Sequence, residues 1–315
     1  MKYKVLISAP YLQPFIDRFR PFFEANGVEI VVPVVNERLE EEDLIKYAHD
    51  VDGIIAGDDR VTEKVLDHTP KLKVISKWGT GIDSLNKLIC NQRGVIVRNT
   101  PNAFTIPVSD TVLGYILNFS RNLSFMTEAM RQGEWKKIAG KALHECSLGV
   151  IGVGNVGESV LRKASAFGMV LYAYDIKKIP SDLVVELKIK EVSLQELLNK
   201  SDFISVNCDL NETSHHLINS ETLSMMKETA VVINTARGPI IHEEALVAAL
   251  KKGKIGGAAL DVFEEEPLPL SSPLLKMKNV MIAPHNSNSS PFAWEFIHTN
   301  TINNLMESLG VDARL

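Results

Sequence analysis

Short runs of β-branched and aliphatic residues alternate along the whole chain with longer amphipathic stretches, and this alternation limits the fold more than any other feature. It is the pattern of βαβ units, in which parallel strands are covered on both faces and joined by crossover helices. Neither an all-α nor an all-β arrangement fits it. Strands are expected near Lys4–Ser8, Glu29–Val34, Gly53–Ala56, Lys73–Lys77 and Val95–Arg98, with helical segments between them such as Pro14–Asn26, closed by Gly27. A second series is expected at Leu148–Gly152, Met169–Tyr174, Phe203–Asn207, Val231–Asn234, Gly257–Val262 and Val280–Ala283. Six strands with intervening helices make a complete doubly wound sheet. Between the series, Val112, Leu113, Ile116, Leu117 and Phe119 recur at helical spacing, so Val108–Gly133 reads as one long helix. Pro291–Leu309 is again helical and, coming after the last strand, is expected to return to the first domain. A chain of 315 residues has room for two such domains.

Composition narrows the partners. The chain carries 34 Lys+Arg against 39 Asp+Glu, a net charge of −5, so no bulk attraction to nucleic acid is expected. Its three cysteines, Cys90, Cys146 and Cys208, are widely spaced and belong to no Cys/His cluster. Neither a disulfide framework nor a metal site is expected from them. The apolar stretch before Pro10 is too short for a signal-peptide core, and no apolar run reaches the ~18 residues of a membrane span. The expectation is a reduced, cytoplasmic protein without a membrane partner.

The segment Leu148-Gly-Val-Ile-Gly152-Val-Gly154-Asn-Val-Gly157 is an apolar strand running into GxGxxG, followed by the helical pattern Glu158–Phe167. In such a turn Gly152 permits the tight bend, Gly154 admits a pyrophosphate to the backbone, and Gly157 lets the helix pack close to the sheet. The phosphates then rest on a helix N-terminus, where unpaired N–H groups and the dipole favour anions. Asp175 ends the next strand at the spacing of about 20 residues at which a carboxylate receives a ribose 2′-OH and repels a 2′-phosphate. NAD is favoured over NADP. An Asp that only caps its loop is the alternative, since Lys177 and Lys178 follow closely. A methyltransferase with a similar glycine turn is a further rival, ranked lower because of the polar residues that come later.

In an open α/β sheet a ligand lies outside the carboxyl ends of the strands, so polar residues there carry the most weight. One strand ends in Thr235-Ala236-Arg237-Gly238, the next in Asp261-Val-Phe-Glu-Glu-Glu266, and the last in Pro284-His285. Arg237 is suited to anchor a carboxylate through its planar fork. His285 is suited to acid–base work near neutral pH, and Glu266 to hold its tautomer. Individually, a structural Arg, a bland His and a solvated Glu run are equally ordinary. Together they supply an anion clamp, a proton shuttle and an orienter for oxidation of a hydroxy acid.

These motifs resemble the D-isomer-specific 2-hydroxyacid dehydrogenase family, most of all its phosphoglycerate-dehydrogenase-like members. The matches are Lys77-Trp78-Gly79-Thr80-Gly81-Ile82-Asp83, Asn99-Thr100-Pro101, Leu148–Gly157, Ile233–Gly238, Gly256–Glu266 and Pro284-His285, in order over nearly the full chain. The resemblance implies two Rossmann-like doubly wound parallel-sheet α/β domains. An NAD domain, residues 102–287, is inserted into a flavodoxin-like substrate domain made of residues 1–101 and 288–315. It implies Arg237, Glu266 and His285 as catalytic residues, and the backbone of Gly79, Thr80 and Gly81 as the seat of the substrate carboxylate, with Thr80 also near the cofactor. Asn155 and Val156 would meet the pyrophosphate, Cys208, Thr235 and Ala236 would line the cofactor pocket, and Asp261 would meet the nicotinamide. Family habit implies a homodimer with the Val108–Gly133 region as the contact.

The chain departs from the family at Asn207-Cys208-Asp209-Leu210-Asn211, where His-x-Pro-Leu-Thr is common, and at Asn286-Ser287-Asn288, where glycines commonly follow the His. Ala56-Gly57-Asp58-Asp59-Arg60 sets two carboxylates where phosphoglycerate dehydrogenases place a basic residue, leaving Arg60 and Lys77 to compensate. No carboxy-terminal regulatory module is expected after Leu315. The expected activity is hydride transfer between NAD and a small D-2-hydroxy acid or its 2-oxo acid. An NAD-sensing regulatory protein on the same fold is the alternative. Formate or phosphite as substrate is disfavoured, formate because Glu266 stands where formate enzymes carry Gln.

Overall fold

The computed structural model describes residues 2–315, which divide into two compact units: residues up to Ala103 with Ser290–Leu315, and Phe104–Ser289. The first unit is built on strands β1 (Tyr3–Ile7), β2 (Val28–Val31), β3 (Gly53–Ala56), β4 (Val74–Lys77) and β5 (Ile96–Arg98). All neighbours are parallel, in the order β2-β1-β3-β4-β5, the flavodoxin-like arrangement. Every residue of β3 and β4 is buried, as continuous apolar strands covered on both faces must be. The helices between them are α1 (Ile16–Ala25), α2 (Glu41–Ala48), α3 (Glu63–Asp67) and α4 (Lys87–Gln92). Thr62 and Asn86 start the last two by accepting the N–H groups of Val65 and Ile89.

The C-terminal helix, Pro291–Ser308, closes this unit. Ser76 Oγ donates to Thr301 O at 2.8 Å, and Trp78 Nε1 donates to His298 Nδ1 at 2.9 Å. The second bond requires a neutral imidazole. Only 2% of His298 is exposed, and burial pulls its pKa from 6.5 down to about 4. A buried neutral base must charge on unfolding in acid. Its contribution is therefore complete above pH 6.5 and is lost as the pH falls toward 4, an effect on the order of 2–3 kcal/mol. Thermal melts between pH 7 and 4.5 are expected to fall more steeply for the native chain than for His298→Gln, which keeps an acceptor for Trp78; equal slopes would remove the assignment.

The second unit opens with α5 (Thr105–Arg121) and α6 (Leu123–Arg131). The expected single helix over Val108–Gly133 is thus broken: Asn122 takes a left-handed backbone, φ 54°, and Asn118 Oδ1 accepts the N–H of Ser124 to restart the next helix. Helical spacing of apolar residues does not register such a break, because Asn is among the few residues that enter this region at low cost. The sheet then follows with β6 (Ser147–Ile151), α7 (Asn155–Ala166), β7 (Val170–Tyr174), α8 (Ser181–Leu187), β8 (Lys190–Glu191), α9 (Leu194–Lys200), β9 (Phe203–Val206) and α10 (Ser220–Ser224). It finishes with β10 (Val231–Asn234), α11 (Glu243–Lys251), β11 (Gly257–Leu260) and β12 (Val280–Ile282).

The seven strands run β12-β11-β10-β9-β6-β7-β8, all parallel. The order reverses beside β6, which creates the crevice where ligands bind in such sheets. β8 is one strand more than the six expected, a two-residue edge with both residues exposed and hence no apolar signature. Buried clusters cover the two faces, one around Leu197, Ile204, Val232 and Leu246, the other around Val112, Leu148, Val160 and Ile233.

Candidate active site

The glycine turn joins β6 to α7. Gly152 has φ +87°, a conformation only glycine adopts readily, and its N–H donates to Tyr174 O at 2.9 Å. A Cβ on Gly157 would lie 2.0 Å from Gly152 O, so the helix can approach the turn only because that atom is missing. At Gly154, by contrast, a Cβ would meet nothing within 4 Å. The backbone at the start of α7 is therefore open to a ligand, in front of a twelve-residue helix.

Asp175 lies at the rim of the turn. Its Oδ2 accepts the N–H of Val153 at 2.7 Å and its Oδ1 that of Lys177 at 2.8 Å. The carboxylate thus caps its own loop and the glycine turn together, and each oxygen retains a further lone pair. Cys208 packs its backbone on Gly152, where a Cβ would meet Cys208 N at 2.6 Å. Burial pushes its thiol up to about 11, so it stays protonated. Thr235, at the end of β10, is 8% exposed and its hydroxyl has no hydrogen-bond partner. An open backbone cradle, a helix N-terminus and an orphaned hydroxyl on one sheet end fit a dinucleotide.

On the same unit, His285 and Glu266 meet. His285 Nδ1 lies 2.9 Å from Glu266 Oε2, while Glu266 Oε1 accepts the N–H of Phe263 at 2.9 Å. Both side chains are about a quarter exposed, which leaves the ring reachable. Since a carboxylate only accepts, Nδ1 is the ring nitrogen that donates in this pair. His285 itself sits at φ 49°.

What holds that backbone is Asp261. Its carboxylate is fully buried and accepts the N–H groups of Asn286 at 2.7 Å and Ser287 at 2.9 Å, and its carbonyl accepts that of His285 at 2.8 Å. Asp261 was expected against the nicotinamide; the bonds it makes here are to the loop that carries His285.

Arg237 follows β10 in extended backbone. Asn234 fixes the turn, its Nδ2 donating to Arg237 O at 2.9 Å and its Oδ1 accepting the N–H of Ala236 at 3.0 Å. A Cβ on Gly238 would fall 1.8 Å from Phe263 O, so the Arg237 loop lies directly on the loop that leads to Glu266. His216 ties the two further, Nε2 to Glu264 Oε1 at 2.6 Å and its N–H to Pro239 O at 2.8 Å. The sequence did not single out Asn234 or His216; a buried amide at a strand end and a His preceding an apolar pair carry no distinctive pattern.

The Gly79–Gly81 loop belongs to the first unit. It leaves β4 with Gly79 at φ +142°, and Asn99-Thr100 brace it. Thr100 N donates to Gly79 O at 3.0 Å, Thr80 Oγ1 to Thr100 O at 3.0 Å, and Asn99 Nδ2 to Thr80 O at 2.6 Å. Trp78 stands beside it in an aromatic group with Tyr11 and Trp294, ring centroids 5.5 to 6.1 Å apart. Among the described residues no group of His, Cys, Asp or Glu is arranged to hold a metal, and no helix is long and apolar enough to cross a membrane.

Comparison with known proteins adds three likenesses. The chain is 36% identical over 291 residues to a D-3-phosphoglycerate dehydrogenase of Methanocaldococcus jannaschii, covering 91% of this chain but 54% of that protein, so it spans about half the length of that relative. It is 36% identical over 283 residues to a hydroxypyruvate reductase of Thermotoga maritima, covering 88% of this chain and 91% of the relative. A D-lactate dehydrogenase of Aquifex aeolicus, solved with NAD and lactic acid, superposes with a TM-score of 0.87 at 26% identity, covering 98% and 96% of the two chains. Residues 113–287, which hold the glycine turn, Arg237, Glu266 and His285, match the NAD binding domain of the D-isomer specific 2-hydroxyacid dehydrogenases. With most of the chain aligned to these relatives at this level of identity, it is a member of that family.

Proposed function

We propose that the protein is an NAD-dependent reductase and dehydrogenase interconverting a small 2-oxo acid and its D-2-hydroxy acid. The observation that carries this reading is the His285–Glu266 pair, held at 2.9 Å on the sheet end that also bears the open glycine turn. Gly152, Gly154, Asn155, Val156 and Gly157 would hold the pyrophosphate, Asp175 the ribose, and Cys208, Thr235 and Ala236 the pocket beyond. When bound, the cofactor would supply the hydride for reduction as NADH and accept it in oxidation as NAD⁺.

The chain's own residues do the rest. Arg237 offers the acid's carboxylate its planar fork and polarises the neighbouring carbonyl. His285 gives the proton on Nε2 to the oxygen that becomes the hydroxyl, and takes it back in the reverse direction. Glu266 stabilises the charged ring through Nδ1 and fixes its orientation.

The test is NADH oxidation by the purified chain against glyoxylate, hydroxypyruvate, pyruvate and phosphohydroxypyruvate, with NADPH in parallel. Turnover on at least one acid supports the reading; NADH binding without turnover on any of them favours an NAD-sensing protein instead. In the same assay Asp175→Ala is expected to narrow the preference for NADH over NADPH by about tenfold, the effect of one lost hydrogen bond to a charged group. An unchanged ratio would leave Asp175 with only its capping role. α6 has no buried residue, and Trp135 beyond it is 89% exposed, which supports a homodimer with this region at the contact; light scattering reads it directly.

A further inference from the structure

Lys77 ends β4, and its side chain is only 5% exposed. Its Nζ lies 2.9 Å from Asp58 Oδ1 and 3.5 Å from Trp78 O. An ammonium carries three donors. Among the described residues these two contacts, one at the limit of hydrogen-bond distance, are the acceptors its three N–H groups find, so the ammonium has donor capacity for an oxygen of a ligand. The direction it faces is given by Gly79, where a Cβ would lie 3.5 Å from Nζ. The cation thus sits against the Gly79–Gly81 loop on the side where a side chain is missing.

The two acidic residues nearby divide their roles. Asp59 is fully buried and turned inward, accepting Ser8 Oγ at 2.5 Å and the N–H groups of Leu39 at 2.7 Å and Gly57 at 3.0 Å. Asp58 is half exposed and pairs with Lys77. Arg60, the other cation of this loop, is mostly exposed and 3.9 Å from Glu40. Lys77 and Asp58 thus stand beside the loop as an ion pair, and the charge of Lys77 also acts on Asp59, so the cation there is already matched by carboxylate.

From this we infer that Lys77 is a further substrate-binding residue, donating its remaining N–H to an oxygen of the 2-oxo acid. Asp58 beside it selects against acids that bear a second anion. The inference rests on the reading of the Gly79–Gly81 loop as the seat of the carboxylate. It names the substrate class as monoanionic 2-oxo acids, hydroxylated or unsubstituted, in preference to phosphorylated ones.

The experiment compares native chain, Lys77→Met and Asp58→Asn on hydroxypyruvate and phosphohydroxypyruvate, with NADH affinity followed separately by fluorescence. Lys77→Met is expected to raise KM for hydroxypyruvate about 10- to 100-fold, the range for loss of a charge-assisted hydrogen bond, without changing NADH affinity. Asp58→Asn keeps an acceptor for Lys77 and is expected to lower KM for the phosphorylated acid about tenfold relative to hydroxypyruvate. A native KM in Lys77→Met overturns the binding role, and an unchanged KM ratio in Asp58→Asn overturns the selection. If Lys77→Met does not fold, Lys77→Gln carries the same expectation. Failure of the native chain to reduce any of the four acids overturns the underlying functional reading as well; if it reduces glyoxylate or pyruvate but not hydroxypyruvate, Lys77→Met is compared on that acid, which separates that failure from one confined to Lys77.

Discussion

His285→Ala is expected to lower kcat roughly a thousandfold while leaving NADH affinity within about threefold of native. General acid–base catalysis by a positioned side chain contributes on the order of 10²–10⁴ in rate, and in the proposed reaction His285, held through Nδ1 by Glu266 at 2.9 Å, is the group that moves the proton. The glycine turn does not depend on it: Gly152 is fixed by Tyr174 and by the close approach of Cys208. Stopped-flow turnover and fluorescence titration of NADH, run on the same preparation, separate the two quantities. If affinity falls as far as turnover does, His285 is structural, and the buried Asp261 beneath it becomes the reason its loop cannot tolerate change.

Arg237→Lys is expected to cost about 100-fold in kcat/KM for the 2-oxo acid, equivalent to about 2.7 kcal/mol of transition-state stabilisation. The substitution keeps the positive charge and removes the planar pair of donors. A loss of that size with charge retained would show that geometry, and not charge alone, aligns the acid. Asn234 holds the backbone on which Arg237 stands through bonds of 2.9 and 3.0 Å, so the loop itself should survive the change. Full activity in Arg237→Lys would mean that the carboxylate is anchored elsewhere.

Much of this was legible in the sequence, and for identifiable reasons. The strands of both sheets could be read because parallel strands buried on two faces are continuous apolar runs, as in β3, β9 and β10. The glycine turn was legible because its positions have steric causes, which the 2.0 Å approach at Gly157 displays. Arg237, Glu266 and His285 stood out as charged or titratable groups at strand ends. β8 and the break at Asn122 were not legible: one is two exposed residues at an edge, the other a single left-handed Asn inside an unbroken apolar period. Nor could spacing distinguish Asp58 from Asp59. They are neighbours in sequence, yet one is turned into the core by three donors and the other is half exposed and pairs with Lys77, a difference made by Ser8 and Leu39 from distant parts of the chain.

The order in which the two units are completed has a consequence for synthesis of the chain. Phe104–Ser289 is contiguous and can close its core as soon as it has left the ribosome. The sheet of the first unit is made earlier but finished later, because Ser76 bonds to Thr301, Trp78 to His298, and Gly53 leaves room for Leu305. Throughout translation of the second unit, β3 and β4 therefore keep part of an apolar face uncovered. Nascent chains halted before Pro291 should be the form most prone to aggregation and most in need of a chaperone, although the segment they lack is a single helix.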